Sequence, residues 1–75
     1  MADVARDNLR TLKIAKDQGR LVRFVYNTKT DGKVVPRVGT VREVDVSHVV
    51  INDTFHNGQP RSSILGRIVG KVEIQ

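Results

Sequence analysis

The feature of this 75-residue chain that most constrains its fold is a change in hydrophobic period at Arg20. Before Arg20, apolar residues recur every three or four positions, as they do on one face of a helix. After it, they alternate in short runs separated by turn-forming residues, as in strands with one buried face. The sequence therefore predicts a single domain over residues 1–75, with a helix at about residues 4–18 and a β structure over about residues 20–75.

The helix is predicted from the segment "DVARDNLRTLKIAKDQG". Asp3 is a suitable N-cap, and Gly19 can end the helix in a left-handed conformation. Ile14 falls on the side opposite the apolar face. That face is predicted to consist of Ala5, Leu9, Leu12 and Ala15. It should pack across an open end of the β structure.

Five short strands are predicted from "RLVRFVYN", "KVVPRVGTVREV", "SHVVIND", "PRSSIL" and "IVGKVEI". Asp31-Gly32 and Asn57-Gly58 are hairpin signals. Pro36 should lie at an edge or strand start, and Gly39 should mark a sharp bend. Because a flat sheet would leave two edges exposed, we expect it to curl. The predicted fold class is mainly β with one N-terminal helix, in the form of a small five-stranded SH3-like or Sm-like barrel.

The charge balance favours a polyanionic partner. Thirteen Lys and Arg residues oppose eight Asp and Glu residues, which gives a net charge of +5. Eight of the thirteen are arginines, whose forked guanidinium suits phosphate groups and stacks on bases. The alternative is that this charge only keeps a small domain soluble, since a net charge of about 2–8 is ordinary for that purpose.

The sequence offers little for catalysis or metal binding. Its two histidines, His48 and His56, fit no zinc spacing, even with Asp53 as a third ligand. No serine lies in a nucleophile motif, and no acid–base pair of carboxylates is evident. We therefore expect no enzyme activity, no cofactor and no metal. The lack of cysteines, of an apolar run of about 20 residues and of a secretory signal predicts a cytoplasmic protein without a membrane segment.

The arginines and aromatic residues are the candidate binding residues. If Ile64 points into the core, Arg61 and Ser63 point out of it, because side chains alternate along a strand. Phe55, at a hairpin tip, is a candidate for stacking on a base, whereas Phe24 should belong to the core. The arginines that could gather on one side of the barrel are Arg23, Arg37, Arg61 and Arg67.

Two segments resemble parts of a WYL-like domain, the small Sm/SH3-type barrel of many bacterial transcription regulators. "LRTLKIAKDQGRLVRFVYN" is similar to the family's opening, in which a helix leads into "g-r-x-v-x-F-x-Y". "RSSILGRI" is similar to its closing signature, roughly "R-x-F-R-L-D-R-I". The matching positions are Gly19, Arg20, Val22, Phe24 and Tyr26 in the first segment, and Arg61, Leu65, Arg67 and Ile68 in the second. The resemblance covers about residues 9–74, which is nearly the whole chain, so it implies a free-standing domain.

The chain also departs from this family pattern. The Trp-Tyr-Leu tripeptide that names the family should fall where this chain has residues 48–50, His-Val-Val. In the closing signature, Ser63 replaces the phenylalanine, Ile64 the second arginine and Gly66 the aspartate. The resemblance implies a ligand-sensing module that contacts nucleotides or single-stranded nucleic acid. Carried over by position, it implies binding roles for Arg61, Arg67 and Tyr26, with His48 in place of a lost aromatic residue.

Two functions follow as hypotheses. The first is a nucleic-acid or nucleotide-binding regulator, of phage or bacterial origin, that uses an arginine-rich barrel face. The second is a protein-interaction or assembly module, an adaptor or a small homo-oligomer, that acts through an edge strand or an apolar surface. Leu21, Val25 and Ile14 would supply that surface. The departures at residues 48–50 and 64 leave a host or regulatory protein open as the partner.

Overall fold

The computed structural model describes residues 3–28 and 32–75. This part of the chain forms one α-helix, five β-strands and two short 3-10 helices. In chain order they are α1 (Asp3–Gln18), β1 (Leu21–Asn27), β2 (Val34–Val44), β3 (His48–Asp53), η1 (Thr54–His56), β4 (Gln59–Ile64), η2 (Leu65–Arg67) and β5 (Ile68–Ile74). The predicted fold class, mainly β with one N-terminal helix, is confirmed. No helix of the described residues is both long and apolar enough to cross a membrane.

The strands form one antiparallel sheet in the order β4-β3-β2-β1-β5. The outermost strands, β4 and β5, are consecutive in the chain, and η2 joins them. At the end of β4, the backbone N–H of Ile64 donates to the Tyr26 hydroxyl oxygen of β1 at 3.1 Å. Within the described residues no ladder pairs β4 with β5, so closure of the sheet into a barrel stays a prediction.

The core lies between the inner face of the sheet and α1. The alternation predicted for β1 is confirmed, since Val22, Phe24 and Tyr26 are buried. The helix packs mainly against β2 and β5. The buried apolar residues are Leu12, Ala15, Val22, Phe24, Tyr26, Val41, Val49, Ile51, Leu65, Ile68 and Val72. The predicted face of the helix is therefore right at Leu12 and Ala15.

The prediction was wrong at Ala5, which is exposed, and it missed Asn8, which is 1% exposed. The Asn8 side chain donates to the carbonyl oxygen of Gly70 at 3.0 Å and accepts the N–H of Val72 at 2.9 Å. Gly70 has a φ of 74°, and here β5 carries extra residues relative to β1. Asn8 thus satisfies backbone groups that the irregular strand leaves unpaired, and it fixes the helix to β5.

Replacing Asn8 with alanine is expected to lower the free energy of unfolding by about 2–4 kcal/mol, because two backbone groups of β5 lose their partners. Helix propensity alone would favour alanine by about 0.7 kcal/mol or less, so it acts in the opposite direction. Urea unfolding followed by circular dichroism measures the change. Gln18→Ala, at an exposed amide of the same helix, is the control. Equal stability of the two variants would contradict this role of Asn8.

The turn signals of the sequence are confirmed where the structure describes them. Gly19 ends the helix with a φ of 63°, and Asn57 and Gly58 have φ values of 58° and 75°. Asp31 and the side chain of Asp3 lie outside the described residues. Pro36 pairs with β1 before pairing with β3 begins at Gly39, so it lies, as predicted, in a part of β2 with a strand on one side only.

Gly39 lies where the backbones of β2 and β3 approach closely. It pairs with Asp53, and a Cβ atom at this position would overlap the carbonyl oxygen of Asn52. The register shift of β2 against β3, which is the irregularity in their pairing, lies between Val41 and Glu43 and not at Gly39. The glycine is therefore needed because no side chain fits between the two strands.

Candidate anion-binding groove

Strand β4 has the opposite orientation to the one predicted. Ile64 is 51% exposed, whereas Ser63 is buried and Arg61 is half-buried. Arg61 pairs with Ile51 and Ser63 with Val49, both of which are core residues of β3. The expectation that Ile64 enters the core was therefore wrong. Leu65 fills that part of the core from η2, immediately after the strand ends.

This orientation places Arg61 on the same face of the sheet as Arg37. Arg37 pairs with the core residue Phe24 and is itself buried. The two arginines line one groove of about 430 Å³ at the β3–β4 hairpin end of the sheet. We call it the arginine groove. The residues that line it are Thr28, Val35, Pro36, Arg37, Asp53, Phe55, His56 and Arg61.

Arg37 is the most unusual charged group of the groove. It is 8% exposed, and its guanidinium carbon lies 4.4 Å from the centre of the Tyr26 ring. Neither Nε nor Nη1 has a hydrogen-bond partner among the described residues. Burial lowers the pKa of Arg37, and the nearby charge of Arg61 acts in the same direction, while Tyr26 and Asp53 oppose it. Buried donors without partners are costly, so this side chain is suited to an acceptor from a ligand.

Asp53 organises the other side of the groove. This carboxylate, 2% exposed, ends β3 and accepts the backbone N–H of Phe55 at 2.9 Å, which caps η1. Its Oδ2 atom lies 3.1 Å from Arg61 Nε and 3.0 Å from His56 Nδ1. Asp53 therefore holds one side chain from the connection, η1, and one from β4. Among the described residues no group of three His, Asp or Glu side chains is placed to hold a metal ion.

Phe55 supplies an exposed aromatic surface beside these charges. It lies in η1 of the β3–β4 hairpin, is 61% exposed and lines the groove. Val35 and Pro36 provide apolar wall on the β2 side. The arrangement can therefore accept an acidic group at the two arginines and a flat apolar group at Phe55.

The structure brings together only some of the predicted binding residues. Arg37, Arg61 and Phe55 line the groove. The Tyr26 hydroxyl accepts a backbone hydrogen bond from β4 and its ring lies against Arg37, so Tyr26 supports the groove from the core. Two of the four predicted arginines therefore line one groove, and the four do not form one cluster.

Three of the predicted binding residues lie away from the arginine groove, namely Arg67, Arg23 and His48. Arg67 lines a separate cavity of about 410 Å³ formed by η2, the start of β5 and the chain around Thr28. Arg23 lies on the outer face of β1, opposite Glu73 of β5. These two arginines do not contribute to the arginine groove.

His48 lies at the other end of β3 from Asp53, in the turn that Asp45 organises. Asp45 accepts the backbone N–H groups of His48 at 3.0 Å and Ser47 at 2.8 Å, and also the Ser47 hydroxyl. These hydrogen bonds, the one from the His48 backbone first, lower the pKa of Asp45 to about 2. The ring of His48 lies 3.3 Å from the same carboxylate. The structure accounts for His48 as part of this turn.

Sequence reasoning missed His56 and the central role of Asp53. It treated both only as possible metal ligands, although "DTFH" places the histidine three residues after the aspartate. An aspartate before a short helical turn is an N-cap signal, and a residue three positions later can contact it. Nothing in the sequence pointed to the ion pair across the hairpin with Arg61.

The comparisons with known proteins gave a similarity to solved structures. No protein-family model and no curated protein matched the chain. Among solved structures it is similar to proteasome accessory factor B/C (PafBC) of Arthrobacter aurescens, with a TM-score of 0.64 and 16% identity. The similarity covers 93% of this chain and 11% of that chain, so this chain spans a small part of PafBC. It shows that this chain shares its fold with a part of PafBC.

Proposed function

We propose that this chain is a non-enzymatic regulatory module that binds a nucleotide or single-stranded nucleic acid in the arginine groove. The observation that carries the proposal is Arg37, a buried guanidinium with two unpartnered donors that lines a groove beside a second arginine. A regulatory role in the cytoplasm of a bacterium, or of a phage-infected bacterium, rests on the WYL-like resemblance. The fold similarity to PafBC is consistent with it.

The chemistry of the groove favours phosphate together with a base. Arginine presents donors in a planar fork that matches phosphate oxygens, and burial strengthens such contacts by excluding water. Phe55 can stack on a base, and stacking of this kind contributes about 1–3 kcal/mol per base. A groove of about 430 Å³ suits one nucleotide unit more closely than an extended run of bases. We infer that further nucleotides of a strand would lie outside it.

Binding of a short fluorescein-labelled oligothymidine, measured by fluorescence anisotropy, should weaken linearly on a log–log plot against salt, with a slope of about −0.7 per contacted phosphate. Arg61→Gln should reduce the slope by about 0.7 and lower the affinity, because one phosphate contact is lost. Arg42→Gln is the matched control, since it removes the same charge from an exposed position of β2 outside the groove.

Arg23→Gln and Arg67→Gln extend this series to the arginines that lie outside the groove. Both should behave like the Arg42 control if the groove alone binds the phosphate. Absence of binding at low salt would contradict the proposed function. Equal effects of all four substitutions would assign the binding to net charge rather than to the groove.

The second candidate function, a protein-interaction module, is favoured by an apolar strip on the outer face of the sheet. Val25 of β1 pairs with Val69 of β5 and with Pro36 of β2, and all three are exposed. Leu21, in the same strand as Val25, is also exposed. Sedimentation equilibrium at high protein concentration tests self-association through this surface. If the chain is a monomer and still carries a protein captured from a lysate after nuclease has removed nucleic acid, an adaptor role is favoured.

A further inference from the structure

A fixed negative charge lies inside the groove that is proposed to attract anions. Asp53 lines the same groove as Arg37 and Arg61, and its side chain is almost fully buried. Two arginines and one aspartate leave a single net positive charge when His56 is neutral. If the groove binds phosphate as proposed above, this balance limits the charge of the ligand that it accepts.

A ligand cannot readily displace Asp53, because its two carboxylate oxygens hold the hairpin together. Oδ1 accepts the N–H of Phe55 at 2.9 Å, and Oδ2 contacts Arg61 and His56. The contact of Arg61 with Asp53 is made through Nε. An incoming anion therefore meets the arginines with the aspartate still in place.

The charge balance then discriminates between two kinds of phosphate. A phosphodiester carries one negative charge, which the net charge of the groove can neutralise. A terminal phosphate carries close to two at pH 8, because its second pKa is about 6. The second charge would face Asp53 in a partly desolvated site without a cation of its own, which is unfavourable. We propose that Asp53 makes the arginine groove selective for a singly charged phosphodiester over a doubly charged terminal phosphate.

The test compares thymidine 5′-monophosphate with its methyl ester by isothermal titration calorimetry at pH 8. The two ligands share the base, the sugar and the phosphate, and they differ by one charge. The unsubstituted protein should bind the ester about tenfold more tightly. Asp53→Asn should bring the ratio of the two affinities close to one by strengthening binding of the monophosphate. The asparagine retains an oxygen that can accept the N–H of Phe55.

The matched control is Glu73→Gln, which makes the same change in net charge on the outer face of β5. It should leave the ratio unchanged. If the unsubstituted protein binds the two ligands equally, or binds the monophosphate more tightly, the selectivity is wrong while the proposed function stands. If it binds neither ligand nor oligothymidine, the proposed function itself fails. If circular dichroism shows that Asp53→Asn does not fold, the ratio for the unsubstituted protein decides.

Discussion

Gly39→Ala is expected to lower Tm by at least about 12 °C, the effect of about 3 kcal/mol on a domain of this size. The added Cβ would overlap the carbonyl oxygen of Asn52 in the neighbouring strand. Relief requires β2 and β3 to separate at the point where Gly39 pairs with Asp53. Because a domain of this length has a total stability of about 4–11 kcal/mol, a large part of that stability is lost.

Gly66→Ala is the matched control for this substitution. A Cβ at Gly66 has no heavy atom within 4 Å, and the residue lies in η2 rather than between paired strands. We expect a change in Tm of only a few degrees, because Gly→Ala at a compatible position contributes about 0.4–1 kcal/mol. Differential scanning calorimetry of both variants provides the comparison. A Tm for Gly39→Ala within those few degrees would mean that the strands accommodate the methyl group without loss.

Arg37→Met is expected to reduce affinity for single-stranded oligothymidine at least about 30-fold and to leave the free energy of unfolding unchanged or raised. The loss of binding follows because Arg37 supplies unpartnered buried donors to the groove. Removing a charge-assisted contact of this kind typically costs about 2–5 kcal/mol of binding.

Stability should not fall with Arg37→Met, because the unbound protein gains little from this guanidinium. Its contact with the Tyr26 ring contributes about 0.5–2 kcal/mol, whereas each unpartnered buried donor costs about 1–3 kcal/mol. Methionine keeps a long apolar side chain over the ring. Urea unfolding and anisotropy on the same preparation test both parts, with exposed Arg42→Met as the control. An unfolded variant would show that Arg37 serves the fold, and a stable variant that binds normally would show that Arg37 does not bind the ligand.

Much of the fold could be predicted from local patterns. The change of period at Arg20 separates the helix from the sheet, and alternation in β1 identifies its buried side chains. Gly19 and Asn57-Gly58 act through their own backbone conformations, so their effect is visible within a few residues of sequence. These features need no knowledge of distant contacts.

The predictions failed where contacts between residues distant in the chain decide which side chains are buried. In β4, the most apolar residue, Ile64, faces outward because Leu65 of η2 takes the core position instead. Alternation fixes which residues share a face but not which face is buried, and a one-residue change reverses the assignment. Asn8 was missed for a similar reason, since its partners are 62 and 64 residues away in the chain.

The candidate site could likewise be predicted only in part from local sequence. Charge and composition identified Arg37, Arg61 and Phe55 as binding candidates, but Arg23 and Arg67 have the same local character. Which arginines meet depends on the inner face of the sheet and on the ion pair between Arg61 and Asp53. The pairing of strands determines which arginines come together, and this pairing cannot be read from the spacing of residues along the sequence.

The described residues that line the arginine groove all come from β2, β3, η1 and β4 and from the residue that follows β1. The helix and β5 contribute none of them. They complete the core and are joined to each other through Asn8. The exposed surface of α1, which includes Ile14, can therefore change its sequence without altering the chemistry of the groove. The groove and the exposed surface of the helix can thus change independently within one short chain.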